Sequence, residues 1–381
     1  MRTTTPRPRT PWARPALTLA SLAVLACTQV DAQPRTSEEH SFRVTTVATG
    51  LENPWGIAFL PDGRMLVTER AGRLQIVSAD GSKQVVNGTP EVWVRGQGGM
   101  LDVELHPDFA RNQMVYLTWS RPAGEGATTA LGRGRLEGTS LTGFEEIFVA
   151  NAATTTGAHF GSRIVFDGQG HLFIGIGDRG IMQAAQDPTN HQGTIIRLHD
   201  DGRVPADNPF VGRDGFLPEI YAYGIRSPQG MALHPETGAL WENEHGPRGG
   251  DEMNLIQAGR NYGWPAITFG TNYNGNIISD DTARAGMEQP LTYWVPSIAV
   301  SGMTFYTGDR FPDWRGNLFV GALAGQHIRR LVVDGTRITH QEVMLNDLRS
   351  RVRQIKQGPD GFLYLLTDDG NGAVLRMEPS Q

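Results

Sequence analysis

One local pattern recurs six times along this chain: a turn ending in Gly or Asn, then a short run of apolar and β-branched residues. It reads PDGRMLVTE from Pro61, HPDFARNQMVYLTW from His106 and FDGQGHLFIGIGD from Phe166. It returns as HPETGALWENEHG from His234, PDWRGNLFVGAL from Pro312 and GPDGFLYLLTD from Gly358. The turn residues are Gly63, Asn112, Gly170, Gly238, Gly316 and Gly361, so successive gaps are 49, 58, 68, 78 and 45 residues. Gaps of that size hold about four strands each, the period of a propeller blade. The pattern therefore predicts an all-β fold, a six-bladed β-propeller. Two β-sandwiches with recurrent hairpin turns are the competing arrangement.

Composition agrees with many short strands. The chain has 47 glycines and 23 prolines in 381 residues, and no long amphipathic helix with caps is evident. The two intervals between the third and fifth copies, 68 and 78 residues, are the long ones. They carry His191, Asp207, the Gly246 loop and the stretch from Trp264 to Trp294. In a propeller such insertions gather at one end of the channel, where a ligand binds.

The N-terminus reads as an export signal. Arg2, Arg7, Arg9 and Arg14 form a basic region without acids, and Ala16 to Ala26 is apolar but too short to span a bilayer. Residues 1–32 are expected to form the export segment, cut either at an ordinary site after Val30-Asp31-Ala32 or before Cys27, at a lipobox that leaves that cysteine lipid-anchored. Residues 33–45 then form a flexible lead-in, and 46–381 the propeller. Cys27 is the only cysteine, so the mature domain has no internal disulfide. The formal charge is −6, and cutting before Cys27 removes four arginines, giving −10. That balance, with no basic run interleaved with aromatics, excludes a nucleic-acid partner.

The segment from Tyr223 to Pro265 is densest in groups that are costly to bury alone. Gly246 and Pro247 sit in a turn that can aim carbonyls at one point, and Asp251 and Glu252 follow with hard anionic oxygens. Calcium takes six to eight such oxygens, many of them carbonyls. An acidic surface turn reads the same way. His159, in TGAHFGSRIVF, is a loop histidine able to take a proton from a substrate hydroxyl, although a lone histidine is often structural. His106, His191, His234 and His245 compete with it. His106 and His234 lie in the repeated HP turns, which favours a structural role. Arg349, Arg351 and Arg353 alternate, so at strand period they share one face, and an anion opposite would relieve their repulsion. A solvated face fits too, because only Lys83 and Lys356 are lysines and arginine is common throughout. Arg226 stands in the GIRSPQG turn, and Gln97 in the glycine-rich RGQGGML turn can hydrogen-bond a polar ligand.

Taken together, LENPWGIAFLPDGRMLVTER, GQGGMLDVELHPDF, HFGSRIVFDGQGHLFIGIGD, YGIRSPQGMALHPETG, GPRGGDEMNLIQAGRNYGWP and RSRVRQIKQGPDGFLYLLTD resemble the soluble quinoprotein glucose and aldose sugar dehydrogenases, a family that includes glucose/sorbosone dehydrogenase-like proteins. The resemblance runs from about Val47 to Met377. It implies a six-bladed propeller holding pyrroloquinoline quinone (PQQ) and calcium at one end of the channel. On that resemblance His159 is the base for oxidation of an aldose at C1. Arg226 lies beside the quinone, Gln97 lines the pocket, and Arg351 and Arg353 hold the cofactor's carboxylates. The carbonyls of Gly246 and Pro247 would bind the cofactor's calcium. Glu252, with Asp251 and the Tyr262 backbone, would hold a structural one. Electrons would pass to an external acceptor in the periplasm.

This chain departs from the family pattern at several positions. Ala158 replaces an aspartate, Arg179 a glutamine, Ser227 an asparagine, Ala324 a lysine that contacts the cofactor, and Ser297 a threonine. Arg179 and Ser227 still fall among the expected cofactor contacts. Two other classes fit a calcium-bearing propeller: a lactone hydrolase and a non-catalytic binding module. The arginine trio has no role in a hydrolase.

Overall fold

The computed structural model describes residues 1–3 and 33–380. The expected export segment, Cys27 included, falls almost wholly outside them. The repeats are realised as six antiparallel sheets of a β-propeller. Blade one comprises Pro54–Phe59, Met65–Glu69, Arg73–Val77 and Lys83–Val86; blade two runs from Met100–Leu105 to Ser140–Val149. Blade three runs from Ile164–Phe166 to Ile220–Tyr223, blade four from Pro228–Leu233 to Thr292–Trp294, and blade five from Val300–Phe305 to Arg337–Met344. Blade six has three strands of its own, Val352–Gln357, Leu363–Thr367 and Gly372–Pro379.

Each copy of the sequence pattern is the hairpin between the first and second strands of one blade. Gly63 (φ 86°) and Gly170 (φ 90°) show why glycine recurs there, since the turn needs a left-handed residue. Blade two has Asn112 instead. There the chain makes one helical turn, Phe109–Asn112, and Gln113 (φ 55°) takes the left-handed position.

Within residues 33–45, expected as a flexible lead-in, Arg35–Thr36 and the residues from Ser41 onward are strand. Arg35–Thr36 pairs with Ser41 and Phe42, and Ser41–Leu51 is added to blade six against Gly372–Pro379. The two ends of the ring are thereby joined by backbone hydrogen bonds. Phe42 and Val44 point inward, onto a cluster containing Phe311, Trp314 and Phe319, and all are at most 1% exposed.

Strands inside the ring are covered on both faces by neighbouring blades, so they read as continuous apolar runs. Leu318–Ala322 and Met65–Glu69 are buried at every position. First strands adjoin one another around the axis. They approach closely enough that a Cβ on Gly302 would fall on the Gln354 side chain. Among the described residues, no helix is long and apolar enough to cross a membrane.

Candidate active site

At one end of the axis the beginnings of all six first strands converge. Trp55, Leu101, Gly161, Gln229, Ala299 and Arg353, one from each blade or the turn leading into it, line a cavity of about 260 Å3. Arg70, Gln97, His245, Arg351 and Asp368 complete its polar wall. Three guanidinium groups face one carboxylate, an excess of two positive charges, and His245 adds none. Burial, reinforced by the charges of Arg226 and Arg353, pushes its imidazole down to about 3. A low-dielectric pocket with uncompensated cations attracts an anion.

The two expected arginines are held differently. Arg353 is buried, 2.7 Å from Asp368, and donates to Gln229 Oε1 at 3.1 Å. Its Nε is buried without a partner. Arg351 is about half exposed and lies 3.7 Å from Asp368. Arg349 is not on their face: the strand begins only at Val352, and Arg349 (φ 47°) ends a short 3-10 turn outside the cavity. Beneath them Trp55 meets two cations, Arg163 at 4.2 Å and Arg353 at 5.8 Å from its ring centre. Gln229 ties this floor together. Its carbonyl accepts from Arg163 Nε (3.1 Å), and its side-chain amide donates to Ser227 Oγ (3.2 Å).

His159 adjoins the cavity through Gln97 and Phe160, which both line it. Its backbone is left-handed (φ 53°), and its amide donates to Gln97 Oε1 at 2.7 Å. Its Nδ1 is 2.6 Å from Asp178 Oδ1. Asp178 also accepts from the Gly180 amide and from Trp264 Nε1, both at 2.8 Å. Burial favours its neutral form, but the His159 hydrogen bond and charge outweigh this and hold the carboxyl below its ordinary value. Nδ1 is therefore the donor, which leaves Nε2 as the bare, basic nitrogen. Among the described residues no group hydrogen-bonds Nε2.

Arg179 does not reach the cavity. It is fully buried behind the His159 loop, its guanidinium carbon 3.4 Å from the centre of the Phe160 ring, and donates to the carbonyls of Ala158, Thr156 and Ala127. Burial lowers its guanidinium to about 10. A long cation here satisfies carbonyls of a loop that meets a strand only through the single bridge between Thr154 and Ala127. Ser227 is likewise buried, as an acceptor for Gln229. Arg226 faces the Trp264 ring at 5.3 Å and donates to the carbonyls of His245 (2.8 Å) and Gly246 (3.1 Å).

Asp251 and Glu252 do not form one acidic loop. They are neighbours on the strand Asp251–Ile256 and so point to opposite faces. Asp251 is consumed by the Gly246, Ile298 and Val300 amides and the Ser297 hydroxyl, at 2.7 to 3.4 Å. It fixes the Gly246–Pro247 turn rather than offering oxygens to an ion. Glu252 joins Glu244 and Tyr262 around a space of about 10 Å3, room for a single small particle. Burial first, then the Glu244 charge, raises Glu252 well above the usual carboxylate range. Beside it Glu242 Oε1 and Asn254 Oδ1 are buried without partners. Among the described residues no three acid, His or Cys side chains gather as chelators, so a cation here would rely on carbonyls.

Residues 51–376 match the family model described as Glucose / Sorbosone dehydrogenase. The chain is 47% identical over 336 residues to aldose sugar dehydrogenase YliI of Escherichia coli K12, covering 86% of this chain and 91% of that one. The chain belongs to the glucose/sorbosone dehydrogenase family. The apo crystal structure of the soluble E. coli aldose sugar dehydrogenase superposes with a TM-score of 0.87 at 45% identity, over 89% of this chain and all of that one. The PQQ-bound aldose sugar dehydrogenase of Streptomyces coelicolor gives 0.71 at 26% identity, over 91% and 100%.

In this glucose/sorbosone dehydrogenase the sequence alone does not single out Trp55, Arg70, Asp178, Gln229 or Asp368, and it offers His245 only as a competitor of His159. Asp178 and Asp368 carry one signal: each is the first acid after a repeated second strand, in FIGIGD and LYLLTD. Tight turns there aim the side chain along the axis.

Proposed function

We propose that this chain oxidises aldose sugars at C1 to lactones, using PQQ and calcium, and passes the electrons to an external acceptor after export. The observation that carries this reading is the His159–Asp178 pair beside a cavity whose wall holds three arginines against one carboxylate. The fit to a tricarboxylate rests on charge: Arg353 has a buried Nε without a partner, and Arg351 is loosely held. The Gly246 carbonyl already meets the Arg226 guanidinium, so it is turned toward a cation-compatible space, and Pro247 follows it. When bound, the quinone supplies hydride acceptance and calcium supplies electron withdrawal.

The chain's own residues divide the remaining work. Nε2 of His159 takes the C1 hydroxyl proton, and Asp178 stabilises the imidazolium that results. Gln97 and the left-handed backbone fix the ring's position. General-base help of this kind is worth about a hundred- to ten-thousandfold. Arg351 and Arg353 would hold the cofactor's carboxylates, and Arg226 would sit near its quinone end. Glu252 and the Tyr262 carbonyl would hold a structural calcium, with Glu244 in place of Asp251. Ala158 offers a substrate no carboxylate, which supports acceptance of several aldoses rather than glucose alone. The basic and apolar start of the chain supports a periplasmic location, with a lipid anchor at Cys27 as the alternative processing.

The test is reduction of an electron-accepting dye by purified protein with calcium, PQQ and a panel of aldoses. Dye reduction that requires both PQQ and sugar is expected. Lactone hydrolysis without quinone, or no dye reduction with any aldose, would overturn the proposal.

A further inference from the structure

A second and larger cavity, about 470 Å3, lies in the groove between blades five and six. It is walled by the Asp347–Arg351 linker, the turn after Leu363–Thr367, and the added N-terminal strand. Three arginines (35, 349, 351) face two aspartates (347, 369), an excess of one positive charge. Arg35 is 2.8 Å from Asp347, which takes that carboxylate out of play. Arg349, exposed and left-handed (φ 47°), has no carboxylate partner among the described residues. The rest of the lining is rich in hydroxyls and amides, and the Thr46 hydroxyl is buried without any hydrogen-bond partner. A buried hydroxyl left unsatisfied is costly, and a ligand with hydroxyls of its own removes that cost.

From these features we propose that the groove is a binding site for a small polyhydroxylated carboxylate, a sugar acid. Arg349 pairs with the carboxylate, Thr46 and its neighbours bond the hydroxyls, and the exposed Asp369 accepts from another hydroxyl. A simple anion would leave the hydroxyl wall unused, while a neutral sugar would leave the guanidinium unpaired. Arg351 lines both this groove and the axial cavity, and its 3.7 Å distance from Asp368 leaves it loosely tethered. On the reading proposed above, a hydrolysed lactone product belongs to the same chemical class. The site itself does not depend on that reading.

The experiment is calorimetric titration of the protein, without added cofactor, with D-gluconate and D-glucuronate. D-glucose and acetate serve as probes lacking one half of the chemistry. Saturable binding of a sugar acid is expected, at least about tenfold tighter than either control. Arg349→Ala should weaken it about tenfold or more and Thr46→Val severalfold, while Arg353→Ala, in the axial cavity, leaves it unchanged. Gluconate against glucuronate separates an open-chain acid from a ring acid, and binding of either supports the site. No saturable binding, acetate binding as well as the sugar acids, or loss with Arg353→Ala but not Arg349→Ala would each overturn the proposal.

Discussion

The Nδ1 of His159 lies 2.6 Å from an Asp178 carboxylate that is fully buried and accepts two further hydrogen bonds. A carboxylate so held cannot swing away, so it dictates which imidazole nitrogen carries the proton.

Replacing Asp178 by Asn keeps the shape but lets the imidazole present the wrong tautomer. The expected result is a fall in kcat of about a hundred- to ten-thousandfold with little change in KM. The pH profile should change as well, because Asp178, held ionised below the ordinary carboxylate value, no longer supplies its charge to the site. His159→Ala should show a comparable fall and unchanged quinone affinity. Steady-state kinetics across pH checks both. A uniform loss of folded protein without a profile change would assign Asp178 to structure alone.

Gln229 joins Arg163, Arg353 and Ser227 through three hydrogen bonds. Gln229→Leu retains the backbone contact and removes the other two, freeing Arg353 to lean onto Asp368. Loss of one such partner is worth about 1–3 kcal/mol. Quinone affinity should therefore fall about tenfold, with turnover of the saturated enzyme nearly unchanged. Equilibrium titration paired with saturated kinetics reads both quantities.

Asp368 links pH to stability. Burial opposes its ionisation, but the Arg353 charge and hydrogen bond outweigh this and keep its carboxyl below the ordinary value of 3.8. Because the folded value is depressed, its contribution is present above the unfolded value and lost as pH falls through the folded one. The stability gap between the parent and Asp368→Asn should be constant above about pH 5 and close on acidification below the ordinary carboxylate range. Urea unfolding at several pH values measures it. A gap that widens in acid would contradict the assignment.

Asp102 and Arg163 form an ion pair at 2.8 Å, with side chains 0% and 3% exposed. Asp102→Ala leaves a buried guanidinium uncompensated and frees the Ile164 amide, which bonds Asp102 at 2.9 Å. The expected cost is about 3–5 kcal/mol, read from the denaturation midpoint. A double change to apolar residues should recover much of it.

The blade count was legible because a turn needing a left-handed residue announces itself as Gly63, Gly170 or Gly361, and the apolar run after it is the strand that follows. His159, Gln97, Arg351 and Arg353 were legible through motifs, and the structure gathers them around or beside one cavity. Arg349 was misplaced because the period of two was extended through a 3-10 turn. Asp251 and Glu252 were read as one loop, although strand geometry separates neighbours. Arg179 and Ser227 look like ligand contacts in sequence, but Arg179 is taken up by carbonyls 21 to 52 residues away and Ser227 by the side-chain amide of Gln229 two residues on. Asp178 and Asp368 went unread because what identifies them is a partner, His159 or Arg353, brought close only by the fold.

The central claim is that this cationic cavity takes up a tricarboxylate quinone. Calorimetric titration of calcium-loaded protein with PQQ measures it directly. Saturable, stoichiometric uptake is predicted, weakened at least about tenfold by Arg353→Ala and less by the looser Arg351→Ala. Absence of uptake by the parent, or equal affinity in both variants, would contradict the account.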